Sequence, residues 1–136
     1  MSKSTIRTYI KNTADPVYSK YIRVKEADMY GCCVCITCGA RRKWNDEIDA
    51  GHFQTRLYWA TRFDDRNVHA QCTRCNRTEG EKGSYTRYLD KRYGTEAVDA
   101  LIRDSHRSHT LTMDGLKQMA KEWRAEIDKM AIVKNL

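Results

Sequence analysis

Two Cys-x-x-Cys turns set the terms on which this chain can fold. Cys35 and Cys38 form the first, and Cys72 and Cys75 the second. Each turn presents two thiolates to one ion, and zinc takes four such ligands in a tetrahedron. The paired turns therefore close a four-sulfur shell, and a closed shell makes the Zn²⁺ structural rather than catalytic. Thirty-three residues separate the turns, more than a compact finger needs, so a sizeable unit is inserted between them. Two further cysteines, Cys32 and Cys33, precede the first turn. They either compete as ligands or serve as small buried side chains, and the second reading is preferred because free Cys packs as a small hydrophobe.

The rest of the composition narrows the setting. A chain of 136 residues suits one domain with a modest core. Lys and Arg number 25 against 18 Asp and Glu, giving a formal charge of +7. That excess favours an anionic partner, with nucleic acid the default. No apolar run approaches the roughly 18 residues needed to span a bilayer. The stretch Met1-Ser2-Lys3-Ser4-Thr5-Ile6-Arg7 lacks the apolar block of a secretory signal. These features point to an intracellular protein with no membrane partner, where cysteines act as metal ligands rather than disulfides.

Along the chain, residues 1–13 alternate basic and apolar side chains and read as a short strand or a basic arm. Asp15-Pro16 reads as a helix start, Asp capping free amides and Pro suiting the first helical position. The spacing predicts a helix over 16–30, stopped by Gly31. Short strands are expected at 47–53 and 67–72. Between them, residues 54–66 form a long loop in which Arg56, Arg62 and Arg66 alternate with Tyr58, Trp59 and Phe63. Rings that stack on bases beside guanidinium groups that grip phosphates suit a nucleic-acid surface; equally, the aromatics can tuck the loop onto the core. A helix is expected to start near the second knuckle and carry Asn76. After a break at Gly80-Glu81-Lys82-Gly83, helices are expected at 84–93, at 96–106 with Thr95 as cap, and at 113–130 starting from Thr112. Met113, Leu116, Met119, Ala120, Trp123, Ile127 and Met130 of the last form a stripe at helical spacing, best read as packing. His106 and His109 fall in the connection before it and are expected at the surface.

The residues between and after the knuckles resemble a known superfamily. His52 follows Asp49-Ala50-Gly51, Asn67 lies fifteen residues on, and Asn76 nine further, directly after Cys75. This pattern resembles the His-Asn-His nucleases, or ββα-metal fingers, in their zinc-containing branch. Asp49-Ala50-Gly51-His52-Phe53, Thr61-Arg62-Phe63-Asp64, Asn67-Val68-His69-Ala70-Gln71-Cys72 and Cys75-Asn76 together resemble the phage NinG (Rap) recombination nuclease family, over about residues 15–105. The resemblance implies an α+β fold: a small treble-clef-like ββα-metal core at 32–83, an arm at 1–13, a buttressing helix within 14–31 and a helical extension at 84–136, all in one domain.

It also implies a chemistry. His52 would be the general base, since a neutral imidazole accepts a proton near pH 7. Asn76 would offer its side-chain oxygen to a catalytic Mg²⁺ or Mn²⁺, and Asn67 would orient the loop that carries His52. In much of the superfamily an Asp or His before the base also binds the metal; here that position is Gly51. Asp49, two residues back, is the expected replacement, with Asp64 or Asp65 as substitutes and water as the alternative. His69 would either hold phosphate or support His52, or serve as a hydrogen-bonded structural residue. Arg56 would neutralise the phosphate, and Arg62, Arg66, Arg74 and Arg77 are further candidates for DNA contact. The implied activity is a structure-specific DNA endonuclease acting on branched recombination intermediates, Holliday junctions or D-loops, of a phage or prophage, in the bacterial host cytoplasm. Symmetric cutting of a junction needs two sites, so a homodimer is expected, with the last helix available as interface. The alternative is a non-catalytic, zinc-stabilised DNA-binding accessory protein of recombination.

Overall fold

The computed structural model of the chain describes residues 2–78 and 82–136. It is a mixed α+β structure with two small sheets. Helices α1 (Lys3–Tyr9) and α2 (Asp15–Glu26) run on from one another through a π-helical turn at Ile10–Ala14. Ser2 caps the start by accepting a hydrogen bond from the Thr5 amide. The sequence expectation of a strand or arm at 1–13 therefore gives way to helix. What stabilises it is a stripe of buried side chains four residues apart: Ile6, Ile10, Ala14, Tyr18 and Ile22.

Asp15-Pro16 is accordingly not a helix start. A proline inside an α-helix removes one backbone bond and clashes with the carbonyl four residues back. The π turn opens the backbone at this point, the Asp15 amide reaching five residues back to the Ile10 carbonyl. The helix ends at Glu26 rather than near 30, because Ala27 adopts an extended conformation. Gly31 lies in the following turn, where the Asp28 carboxylate accepts from the Tyr30 and Cys32 amides.

Strands β1 (Cys32–Val34) and β2 (Arg41–Lys43) pair antiparallel around the first knuckle. Strands β3 (Ile48–His52) and β4 (Val68–Cys72) form the second antiparallel pair, with His52 opposite Val68 and Ile48 opposite Cys72. Both strands fall where the sequence placed them. The loop between them carries a short helical turn, α3 (Trp59–Arg62), and packs Trp59 and Phe63 against the main core. Helix α4 (Thr73–Arg77) follows β4 directly.

β4 is buried along its whole length, so it shows none of the alternation of a half-exposed strand. Val68 joins the core shared by α1, α2 and α7 (Met113–Lys134). Ala70 and Cys72 join a smaller core around the cysteines, with Ala27, Cys33 and Ile48. A third core, with Ile36 and Phe53, is formed by α5 (Lys82–Tyr93) and α6 (Thr95–Ser105) through Tyr85, Leu89, Val98 and Leu101. Glu79, Gly80 and Glu81 of the connection before α5 lie outside the described residues, and Lys82 and Gly83 are already helical. Gly94 rather than Thr95 takes the cap position of α6. Thr112 caps α7 as expected, accepting from the Gly115 amide. The α7 stripe packs inward through Met113, Leu116, Ala120, Trp123 and Ile127.

Leu116 has no solvent exposure and Ile132, on the same helix, is 82% exposed. Chemical denaturation should therefore show Leu116→Ala losing about 3 kcal/mol and Ile132→Ala changing by less than about 0.5 kcal/mol.

Candidate functional site: a four-cysteine cluster and an adjoining cleft

The two knuckles meet. The sulfurs of Cys35, Cys38, Cys72 and Cys75 all lie within 4.8 Å of one another, Cys38 and Cys72 at 3.9 Å. A tetrahedron of zinc–sulfur bonds of about 2.3 Å needs sulfurs about 3.8 Å apart, so the cluster can take such an ion after small adjustments. Backbone amides already point at the sulfurs. Thr37 N–H donates to Cys35 Sγ at 3.4 Å and Cys75 N–H to Cys72 Sγ at 3.5 Å. The Ala40 amide pulls the exposed Cys38 thiol down to about 7, whereas burial raises Cys75. Cys32 and Cys33 stand on β1 outside the cluster. Cys33 is buried, its thiol donating to the Arg23 carbonyl and pushed up to about 11 by burial. Neither competes for the site.

Beside the cluster lies a cleft of about 230 Å³. Asp49, Ala50 and His52 of β3 and Asn76 of α4 form one wall; Asp15, Tyr18 and Ser19 of α2, with Arg56, form the other. The His52 Nε2 lies 2.8 Å from the Arg62 carbonyl. A carbonyl only accepts, so Nε2 carries the proton and Nδ1 keeps its lone pair. Burial, and then the nearby Arg56 charge, lower the His52 pKa to about 4, which keeps the ring neutral well below pH 7. Asn76 Nδ2 donates to Asp49 Oδ2 at 3.0 Å, and Thr73 Oγ1 donates to Asp49 Oδ1 at 3.2 Å. Because the amide nitrogen of Asn76 faces the carboxylate, its side-chain oxygen is left for another partner. Asn67 has no solvent exposure. Its oxygen accepts from the Gln54 amide, and its nitrogen donates to the Gln54 and Thr61 carbonyls, clamping both ends of the loop after His52.

The other expected site residues lie elsewhere or are already engaged. His69 does not line the cleft. It is 2% exposed, its Nδ1 2.9 Å from Glu26 Oε2, with Tyr85, Tyr88 and Tyr93 around the ring. Arg62 grips the Asp15 carboxylate through Nε and Nη2 and donates to the Arg56 carbonyl. Arg66 is paired with Asp64 and Asp104. Asp65 takes hydrogen bonds from Tyr18 and Tyr21 and an ion pair from Lys25, so neither Asp64 nor Asp65 is free to stand in for a missing ligand. Arg74 and Arg77 border the cysteine cluster, in a separate pocket with Arg42. Arg56 alone of the named arginines lines the cleft, its side chain 61% exposed.

Gly51 has a packing reason. A Cβ there would stand 2.2 Å from Gln71 Oε1 and 2.9 Å from Gln71 Cβ. Gln71 is buried and bonded to Thr37, so this position faces packed side chains rather than a ligand. The α2 wall is not apparent from the sequence: Asp15, Tyr18 and Ser19 recur three and four residues apart, the spacing of one helix face, but Asp15 beside Pro16 equally suits a helix cap.

These features define a small α+β protein whose four close cysteines can hold a structural metal such as zinc. Residues 2–132 match the family model described as Bacteriophage Lambda NinG protein, and the chain belongs to that family. It is 32% identical over 123 residues to protein ninG of Salmonella phage P22, and equally so to protein ninG of Escherichia phage lambda, covering 89% of this chain and 57% of each relative. Protein ninG of Enterobacteria phage H19B is 34% identical over 113 residues, covering 82% of this chain and 53% of the relative. The chain thus spans little more than half the length of these curated relatives. No solved structure matches it. No described helix is long and apolar enough to cross a membrane.

Purified protein should contain one equivalent of zinc by elemental analysis, and stripping it with a strong chelator should abolish the cooperative unfolding transition, as should Cys75→Ser. The unfolded His52 binds a proton near 6.5 and the folded one only near 4. The unfolded state therefore holds more protons between those values, and stability is lost as pH falls through them. Between pH 7.0 and 5.5 the wild-type protein should lose about 1 kcal/mol more unfolding free energy than His52→Ala, measured by urea titration.

Proposed function

We propose that this chain is a metal-dependent DNA endonuclease that hydrolyses phosphodiester bonds in branched recombination intermediates of a phage or prophage. The observation that carries the reading is the shared cleft: a neutral imidazole with its Nδ1 unprotonated, beside a carboxylate and an amide oxygen. Strands β3 and β4 followed by α4 also run in the order expected of a ββα-metal nuclease. His52 Nδ1 takes a proton from water as its oxygen attacks phosphorus, and the Arg62 carbonyl steadies the ring through the transfer. The bond to the 3′ oxygen breaks, and that oxygen takes a proton from solvent, leaving a 5′-phosphate and a 3′-hydroxyl. Asp49 and the Asn76 oxygen are hard donors of the kind Mg²⁺ or Mn²⁺ prefers. Such an ion, when bound, supplies charge neutralisation at the phosphate and at the leaving oxygen. Arg56 grips the scissile phosphate from the opposite wall. The choice of Holliday junctions or D-loops follows from the resemblance to the NinG recombination nucleases.

The second reading is a zinc-stabilised DNA-binding accessory protein without hydrolytic activity. Gly51 favours it, because the position that supplies a metal ligand in many His-Asn-His nucleases supplies none here.

Incubating the pure protein with a synthetic four-way junction and Mg²⁺ or Mn²⁺ separates the two. The nuclease reading expects cleavage that falls about a hundredfold or more in His52→Ala, and a requirement for higher metal concentration in Asn76→Ala. Cleavage undiminished in His52→Ala sinks the assignment. Absence of cleavage with either ion, together with tight junction binding indifferent to Mg²⁺ and to Asn76→Ala, establishes the accessory protein instead.

A further inference from the structure

The loop that gives Arg56 to the cleft gives Leu57, Tyr58 and Trp59 to a second, larger groove of about 620 Å³. Among the described residues its lining includes five basic side chains, Lys3, Arg7, His106, Arg107 and His109, and no carboxylate. They come from two elements distant in sequence, the start of α1 and the connection after α6. The floor is apolar and aromatic: Leu57, Tyr58 and Trp59. Leu57 is 87% exposed, unusual for a leucine in a protein that buries most of its large aliphatic residues. The Tyr58 ring stands edge-on to His106 at 4.8 Å between centroids. Asp104, the carboxylate closest in sequence to the basic run, is held by Arg66 and Arg107.

We propose that this groove binds unpaired nucleotides of single-stranded DNA. Rings flanked by cations are what a single strand asks for. Every base has a face to stack on an aromatic ring, and every phosphate needs a counter-charge. The groove has the volume of a small-ligand site rather than a duplex footprint. The inference rests on the nuclease reading for its choice of DNA as the anion. Arg56 lines the cleft and Leu57 lines the groove, so one loop separates the two sites. A strand whose phosphate lies at His52 can pass its unpaired neighbours over this loop into the groove.

The test is binding without hydrolysis. Fluorescence anisotropy of a labelled oligothymidylate is compared with that of a blunt duplex of equal length, in buffer free of divalent cation and of chelator. Tyr58→Ala should weaken oligothymidylate binding about tenfold, the worth of one base–aromatic stack. Duplex affinity should change less than about twofold, and Tyr58→Phe should bind as the wild type does. Lys3→Ala combined with Arg7→Ala should lower the salt dependence of oligothymidylate binding by about one unit of slope. Should Tyr58→Ala lose its folded circular-dichroism spectrum, Arg107→Glu, on an exposed side chain, decides by the same comparison. Unchanged oligothymidylate affinity, or an equal loss on single strand and duplex, overturns the proposal. Since no cleavage is measured, the groove stands or falls separately from the nuclease: a protein that cuts junctions yet ignores Tyr58→Ala refutes the groove alone.

Discussion

Four sulfurs within 4.8 Å of one another tie together segments that the chain separates by more than thirty residues. The rest of the arrangement hangs on that closure. Cys72 ends β4 and Cys75 sits in α4, so fixing them fixes the direction in which α4 leaves the sheet and, one residue later, where Asn76 points. β3 is paired to β4 along its length, which brings Asp49 and His52 to the same place. The core around the sulfurs is small, with Ala27, Cys33, Ile48 and Ala70. A metal held by the four cysteines would add a cross-link to it.

The second wall of the cleft is held by Arg62. Its carbonyl receives the His52 ring, its guanidinium binds Asp15 on α2, and it also donates to the Arg56 carbonyl. One residue thus sets the tautomer of the imidazole, the distance between loop and helix, and the path of the loop that carries Arg56. Its side chain is only 15% exposed. An arginine so placed works by joining elements, and Arg56 is the more open of the two.

Much of this was legible from residues alone. The knuckle cysteines, both strands of the second sheet, the position of Asn76 after the last cysteine and the α7 stripe follow from local spacing, and local spacing is what periodicity reads. What residues alone misplaced or left open shares one cause: a side chain whose partner lies far away in sequence. Asp15-Pro16 has the local chemistry of a helix start, yet Asp15 is bound to Arg62 and the helix runs through. His69, with Asn67 and Gln71 at alternate positions, left open a place in the site or a hydrogen-bonded structural role; Glu26 and three tyrosines from α5 hold it in the second, partners no window around residue 69 contains. Gly51 offers no side chain to a metal, and only its three-dimensional neighbour Gln71 shows why a larger residue does not fit there.

The π turn at Ile10–Ala14 has an effect beyond making room for Pro16. Apolar residues repeating every four positions drift around a regular α-helix by about 40° per repeat, since each residue turns about 100°. From Ile6 to Ile22 that drift would carry the stripe nearly to the opposite side. A wider turn in the middle, with more residues per revolution, takes back part of the rotation. The two ends of the long helix are in this way phased to each other. Inserting or deleting a single residue between them would swivel Asp15, Tyr18 and Ser19 about the helix axis without touching any of the three.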